Sequence, residues 1–178
     1  MPHSRRAFLA SGAALGTVPL LGCGPQLRDL RLPDLPAALE EMRRLGAAPA
    51  LQSQTAWGWA QTLEHLAQSV EYSMTGYPTQ QSALFQLLAG RPAFQLFAWR
   101  GQMRHDLAAP IPGSPALAAE TPLAAASVRL LTACGQFLQW RGPLQPHFAY
   151  GALTHAEYEQ AHAMHLANHF AAFQIPAE

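Results

Sequence analysis

Apolar residues along the chain recur every three or four positions rather than every two, the period of helices lying on a core. Leu35, Leu39, Met42 and Leu45 predict a first helix over 35–46, with Asp34 as its cap, Pro36 in its first turn and Gly46 at its end. Ala56, Trp59, Ala60, Leu63, Leu66, Ala67 and Val70 predict a second over 55–74, stopped by Gly76 and Pro78. Leu123, Ser127, Leu130, Leu131, Cys134, Phe137 and Leu138 predict a third over 122–140, with Thr121 as cap and Pro122 at the first helical position. Thr154 and Glu157 form a capping box that opens a fourth helix over 154–173. Residues 77–120 read as irregular, with helical pieces at 82–89 and 92–103 and a proline-broken stretch at 106–119. No strand pattern of useful length and no internal repeat is present. The expected fold is all-α, a four-helix bundle with a long irregular connection between helices two and three.

Composition changes this picture little. The 178 residues suffice for one domain with a real core, and the formal net charge is zero. Every basic residue is an arginine, and the arginines are scattered apart from the pairs Arg5-Arg6 and Arg43-Arg44. No basic stripe interleaved with aromatics exists, which argues against nucleic acid as a partner. Two cysteines, Cys23 and Cys134, exclude a disulfide framework, and Cys134 falls on the apolar face of its helix as a core residue.

The first 23 residues stand outside the predicted fold. Ser4-Arg5-Arg6-Ala7-Phe8-Leu9 resembles a twin-arginine export signal, and Leu20-Leu21-Gly22-Cys23 resembles a lipobox. The apolar stretch between them is too short, and too interrupted by glycine and proline, for a good membrane span. The expected organisation is therefore a signal over 1–23, a tether over 24–33 and a helical domain over 34–175. The mature protein would be held on a membrane by a lipid on Cys23, outside the cytoplasm, and Gly24 after the cysteine weakly favours the outer membrane. An ordinary signal peptide cut elsewhere is the rival reading.

The candidate chemistry lies in histidines. His162, His165 and His169 are spaced by three and four, so they share one stripe of the fourth helix. His165 and His169 stand one turn apart, within reach of one ion, and His65 on the second helix is the natural third ligand. Gln61, Thr62, Ser69 and Tyr72 give His65's face a polar run that can line a cavity. Three histidines would leave one coordination position open, as in a reactive zinc site. A hydrogen-bonded or exposed polar stripe is the alternative. His162 reads as a neighbour of the ligands, or as solvent-facing, before it reads as a fourth ligand. His155 is expected to be exposed, His105 carries no signal, and the tryptophans read as packing.

The segment from His65 through Glu71, Tyr72 and Gly76 to Pro78 resembles a stretch of a DinB-like family of undefined function. So do His147-Phe148-Ala149-Tyr150-Gly151 and the run His162-x-x-His165-x-x-x-His169. The likeness spans about residues 35–173. It implies a bundle of up-down-down-up topology with a divalent metal, zinc or nickel, held by His65, His165 and His169. Relatives often carry histidine where Asn168 stands, a position off the ligand stripe. Members with known activity use low-molecular-weight thiols. A metal ion on three neutral imidazoles would lower the pKa of a bound water or thiol, and His147, His162, Glu71 or Tyr72 could then carry a proton or orient a ligand.

Three functions follow as expectations. The first is a metal-dependent transferase or hydrolase acting on a small molecule of unknown identity. The second is a non-catalytic, lipid-anchored binding or structural module, and the third a metal carrier. Export counts against a thiol transferase, since low-molecular-weight thiols are scarce outside the cytoplasm. DinB-like domains can dimerise, so a homodimer is a further expectation.

Overall fold

A computed structural model describes residues 27–118 and 120–176. The signal and Cys23 lie outside the described residues. The fold is mostly helical, with very little strand.

Helix α1 (Leu35–Gly46) begins where Asp34 Oδ1 accepts a hydrogen bond from the Ala37 amide at 2.8 Å. Its buried face, Leu35, Ala38, Leu39, Met42 and Leu45, is the one its spacing predicts. Helix α2 (Trp59–Thr75) starts four residues later than its apolar pattern suggests. The preceding residues are diverted into a short strand, β1 (Gln52–Ser53), and a turn in which the Ser53 hydroxyl donates to the Trp57 carbonyl at 2.8 Å. That turn buries Trp57.

The connection after α2 is more ordered than its sequence suggests. Helix α3 (Ala83–Phe85), a π-helical turn (Gln86–Gly90) and helix α4 (Arg91–Arg100) run end to end. Pro92 has no N–H to offer the preceding turn, and the π register takes up the extra residue upstream. Gly90 lies so close to the loop before α6 that a Cβ there would sit 1.8 Å from the Ala149 carbonyl oxygen. Residues 102–118 are irregular, as the prolines dictate.

Helix α5 (Leu123–Gln139) follows, with Pro122 at the cap position itself rather than inside the helix. Helix α6 (His155–Phe170) opens on the expected capping box between Thr154 and Glu157. It stops three residues short of the predicted end, because Phe173–Gln174 leave the helical path as strand β2 and pair antiparallel with β1. Helix α2 packs along α5 and also meets α6; α1 and α4 pack against α6. Phe137, Tyr158, Phe170 and Phe173 fill the centre with Leu63, Leu66 and Leu166. Cys134 is buried there, and burial pushes its thiol up to about 12, so it stays protonated and inert at neutral pH.

Candidate metal centre

Helices α2 and α6 bring His65, His165 and His169 together. One ring nitrogen from each falls within 4.8 Å of the other two. Ring centroids are 5.2 Å apart for His65 and His165, and 4.8 Å for each pair that includes His169. His65 and His169 are buried and His165 is half-buried. Trp57 closes the back of the cluster, its ring 5.0 Å from His65 and stacked on His169 at 6.2 Å.

The nitrogens are under-used in chemical terms, and that tests whether an ion fits. Neither ring nitrogen of His169, nor Nδ1 of His65, has a hydrogen-bond partner among the described residues. Buried polar atoms are rarely left so. The Nε2 atoms of His65 and His165 face each other at 3.3 Å. Two nitrogens on one tetrahedral zinc lie about 3.3 Å apart, given Zn–N bonds of about 2.0 Å. His165 Nδ1 lies 3.1 Å from the Ser69 hydroxyl. Donation from Nδ1–H to Ser69 would leave the Nε2 lone pair pointing at the cluster. Burial, and secondarily the nearby imidazoles, drives all three histidines toward the neutral form, His65 to about 4 and the other two well below their ordinary range. Neutral imidazole is the form that binds metal. The three histidines can hold a metal ion.

A cavity of about 260 Å³ opens beside them. His65, Ser69 and His165 form one side, and His147 and His162 another. Met103, Ile111, Phe148 and neighbouring prolines supply apolar walls. Asp106 is its only charged lining residue among those described, and no arginine lines it.

The other sequence candidates divide. His162 is 2% exposed, packed edge-on against Phe137 at 4.9 Å, with its Nε2 unpartnered among the described residues. His147 Nδ1 accepts from the amides of Ala149 and Tyr150 at 3.1 and 3.2 Å, so it pins its turn as well as lining the cavity. Burial first, and the neighbouring histidine second, lowers both rings to about 3. Glu71 is not in the cavity: Arg129 of α5 takes both its oxygens at 2.9 and 2.7 Å, and also pairs with Glu64. Tyr72 is half-buried against Tyr77 and does not line the cavity. Asn168 is buried rather than on an exposed face. His155 is also not exposed as expected. It is half-buried, stacked on Phe137 at 4.5 Å, with Nε2 donating to the Phe137 carbonyl at 3.0 Å.

Sequence reasoning missed His105. Its ring lies 4.9 Å from His165 and 5.0 Å from His169, over the open side of the cluster. Its Nδ1 donates to the Asp106 carbonyl at 2.8 Å, which leaves Nε2 as the acceptor in the neutral ring. It sits in an irregular segment with no periodicity to report its direction. Trp57 was missed as a site residue because it reads as a packing residue of the predicted second helix, where the chain instead forms a turn.

No curated protein and no solved structure is detectably similar to this chain. The family described as "Protein of unknown function (DUF1569)" matches residues 24–175, and the chain belongs to that family.

Proposed function

We propose that this is a lipid-anchored, DinB-like protein whose His65, His165 and His169 bind a divalent metal, zinc or nickel, at the floor of a small-molecule cavity. The supporting observation is the convergence of three neutral imidazoles whose buried nitrogens lack other partners. An all-nitrogen donor set suits zinc, nickel, copper or cobalt and not magnesium or calcium. The helical chain and the position of the histidines on α2 and α6 support the DinB-like bundle, with its up-down-down-up topology, and Leu20-Leu21-Gly22-Cys23 supports the anchor.

When bound, the ion would supply Lewis-acid activation of a coordinated water or thiol. The chain's own residues do the rest. Ser69 orients His165, and Trp57 holds His65 and His169 from behind. The apolar walls exclude water and select a molecule with a largely apolar body, while the ion's own positive charge is what a coordinating oxygen or sulfur of that molecule would meet. The reaction class that fits is a metal-dependent transfer or hydrolysis.

A second reading, a non-catalytic binding module, is favoured by one observation. Glu71 is tied up by Arg129 and His147 Nδ1 by its own turn, so two of the expected proton carriers are committed elsewhere. Elemental analysis of the purified protein beside a His165→Ala, His169→Ala double variant tests the shared premise. Stoichiometric metal in the parent and almost none in the variant is expected; equal content in both would remove the site. Turnover of largely apolar thiols or esters by the metal-loaded protein then separates enzyme from binding module.

A further inference from the structure

The outer face of α3, the π-helical turn and α4 is apolar and exposed among the described residues. Leu84, Leu87 and Leu88 are 66–68% exposed and Trp99 is 81% exposed. Leu84, Leu88, Pro92, Leu96 and Trp99 recur at spacings of four, four, four and three, one continuous stripe about 22 Å long at 1.5 Å per residue. Scattered exposed leucines are ordinary, but a contiguous stripe of them marks a surface that meets something apolar.

Two features identify the occupant. The first is where the chain before the described residues enters. Arg31 donates to the carbonyl of Arg100, the residue after Trp99, at 2.8 Å, and Gln102 donates to Asp29 at 3.0 Å. The tether is thus fixed to the Trp99 end of the stripe. Arg31 lies eight positions after Cys23, a span of at most about 28 Å. The second is charge. No acidic residue occurs between Glu71 and Asp106, while the exposed Arg100 and Arg104 do occur there; Arg91 also lies there but is paired with Glu157 of α6. Apolar side chains, a tryptophan and flanking arginines are what an element lying in a lipid headgroup layer carries.

We propose that this face rests on the membrane surface, with Leu84, Leu88, Leu96 and Trp99 entering the headgroup region and Arg100 and Arg104 meeting lipid phosphates. The proposal rests on the reading that Cys23 carries a lipid, which would keep the face within reach of the bilayer. It gives the protein one orientation on the membrane rather than free swinging on a tether.

The test uses the full chain as recovered from the membrane fraction of expressing cells, reconstituted into phosphatidylethanolamine–phosphatidylglycerol vesicles whose acyl chains carry bromine just below the headgroups. Bromine quenches tryptophan that enters the bilayer. Strong quenching that falls several-fold in Trp99→Phe, and also in Leu84→Asp, Leu88→Asp with an unchanged circular dichroism spectrum, is expected. Quenching that is absent, or unchanged by all three substitutions, overturns the proposal. So does a detergent-solubilised dimer that the leucine substitutions dissociate while quenching stays absent, which would give the face to a second copy. Mass spectrometry of Cys23 reads the anchor separately. An unacylated chain that still shows Trp99-dependent quenching on added vesicles removes the anchor and supports the face.

Discussion

At the residue scale the protein turns on imidazoles kept neutral by burial. His147 and His162 are lowered to about 3 from an ordinary 6.5, burial being the main cause. Below the ordinary value the unfolded chain takes up protons that the folded chain refuses. Stability from these groups is therefore complete above about pH 6.5 and is lost as pH falls toward their folded values. The melting temperature of the chelator-treated protein should drop between pH 7.5 and 5, and His162→Phe should shallow that slope. A pH-independent melting temperature would show these rings to be exposed. Arg129 makes the opposite kind of site. It joins Glu71 and Glu64 across α2 and α5 at the half-buried surface, and its hydrogen bonds to Glu71, first among the causes, raise its pKa further. Arg129→Gln should cost about 1 kcal/mol in urea denaturation, discounted for partial solvent exposure, and leave metal content untouched. Lost metal would return Glu71 to the site.

At the element scale, periodicity read the four long helices well and their ends less well. Asp34 and the Thr154–Glu157 box do what those residue types do at helix starts, because a cap is a local hydrogen bond. The start of α2 and the end of α6 were not legible, because both are set by the pairing of β1 with β2, two segments some 120 residues apart. His165 and His169 were legible as a pair because they stand one turn apart on a helix, and His65 was joined to them by the polar run on its helix and by the family resemblance. His105 was not, since irregular backbone has no period from which to read a direction, and Trp57 was not, since the turn that holds it replaces the helix its sequence predicts. The π turn is likewise a tertiary feature. It lets Gln86 reach the carbonyl of Phe148 at 3.2 Å while Gly90 presses against Ala149. Gly90→Ala would put a methyl group into backbone that has no flexible side chain to yield. A loss of roughly 2–3 kcal/mol is expected, with altered chemical shifts in residues 147–151. A stable variant with that loop unmoved would contradict the close approach.

At the scale of the whole molecule, the cavity is assembled from three separate stretches of chain: α2, the irregular residues 103–112, and the turn before α6 together with α6 itself. The site is therefore only as well ordered as the fit between α2 and α6. The β1–β2 pairing bears on that fit. Gln52 faces Gln174 and Ser53 faces Phe173, while the Gln54 amide donates to the Ala172 carbonyl at 2.8 Å. One strand leads into the helix bearing His65; the other leaves the helix bearing His165 and His169. The pairing acts as a clasp that sets how far along their length the two helices stand. A slip of one residue in that strand pairing would shift the end of α6 against the start of α2 by about 3.3 Å, enough to take His169 out of reach of a shared ion. Gln54→Pro, which removes the amide that holds the Ala172 carbonyl while leaving Phe173 in the core, should therefore weaken metal retention against a competing chelator at least tenfold while most helical signal persists. A short strand pairing outside the helices would then govern the grip on the ion, as a clasp governs what a hinge can hold.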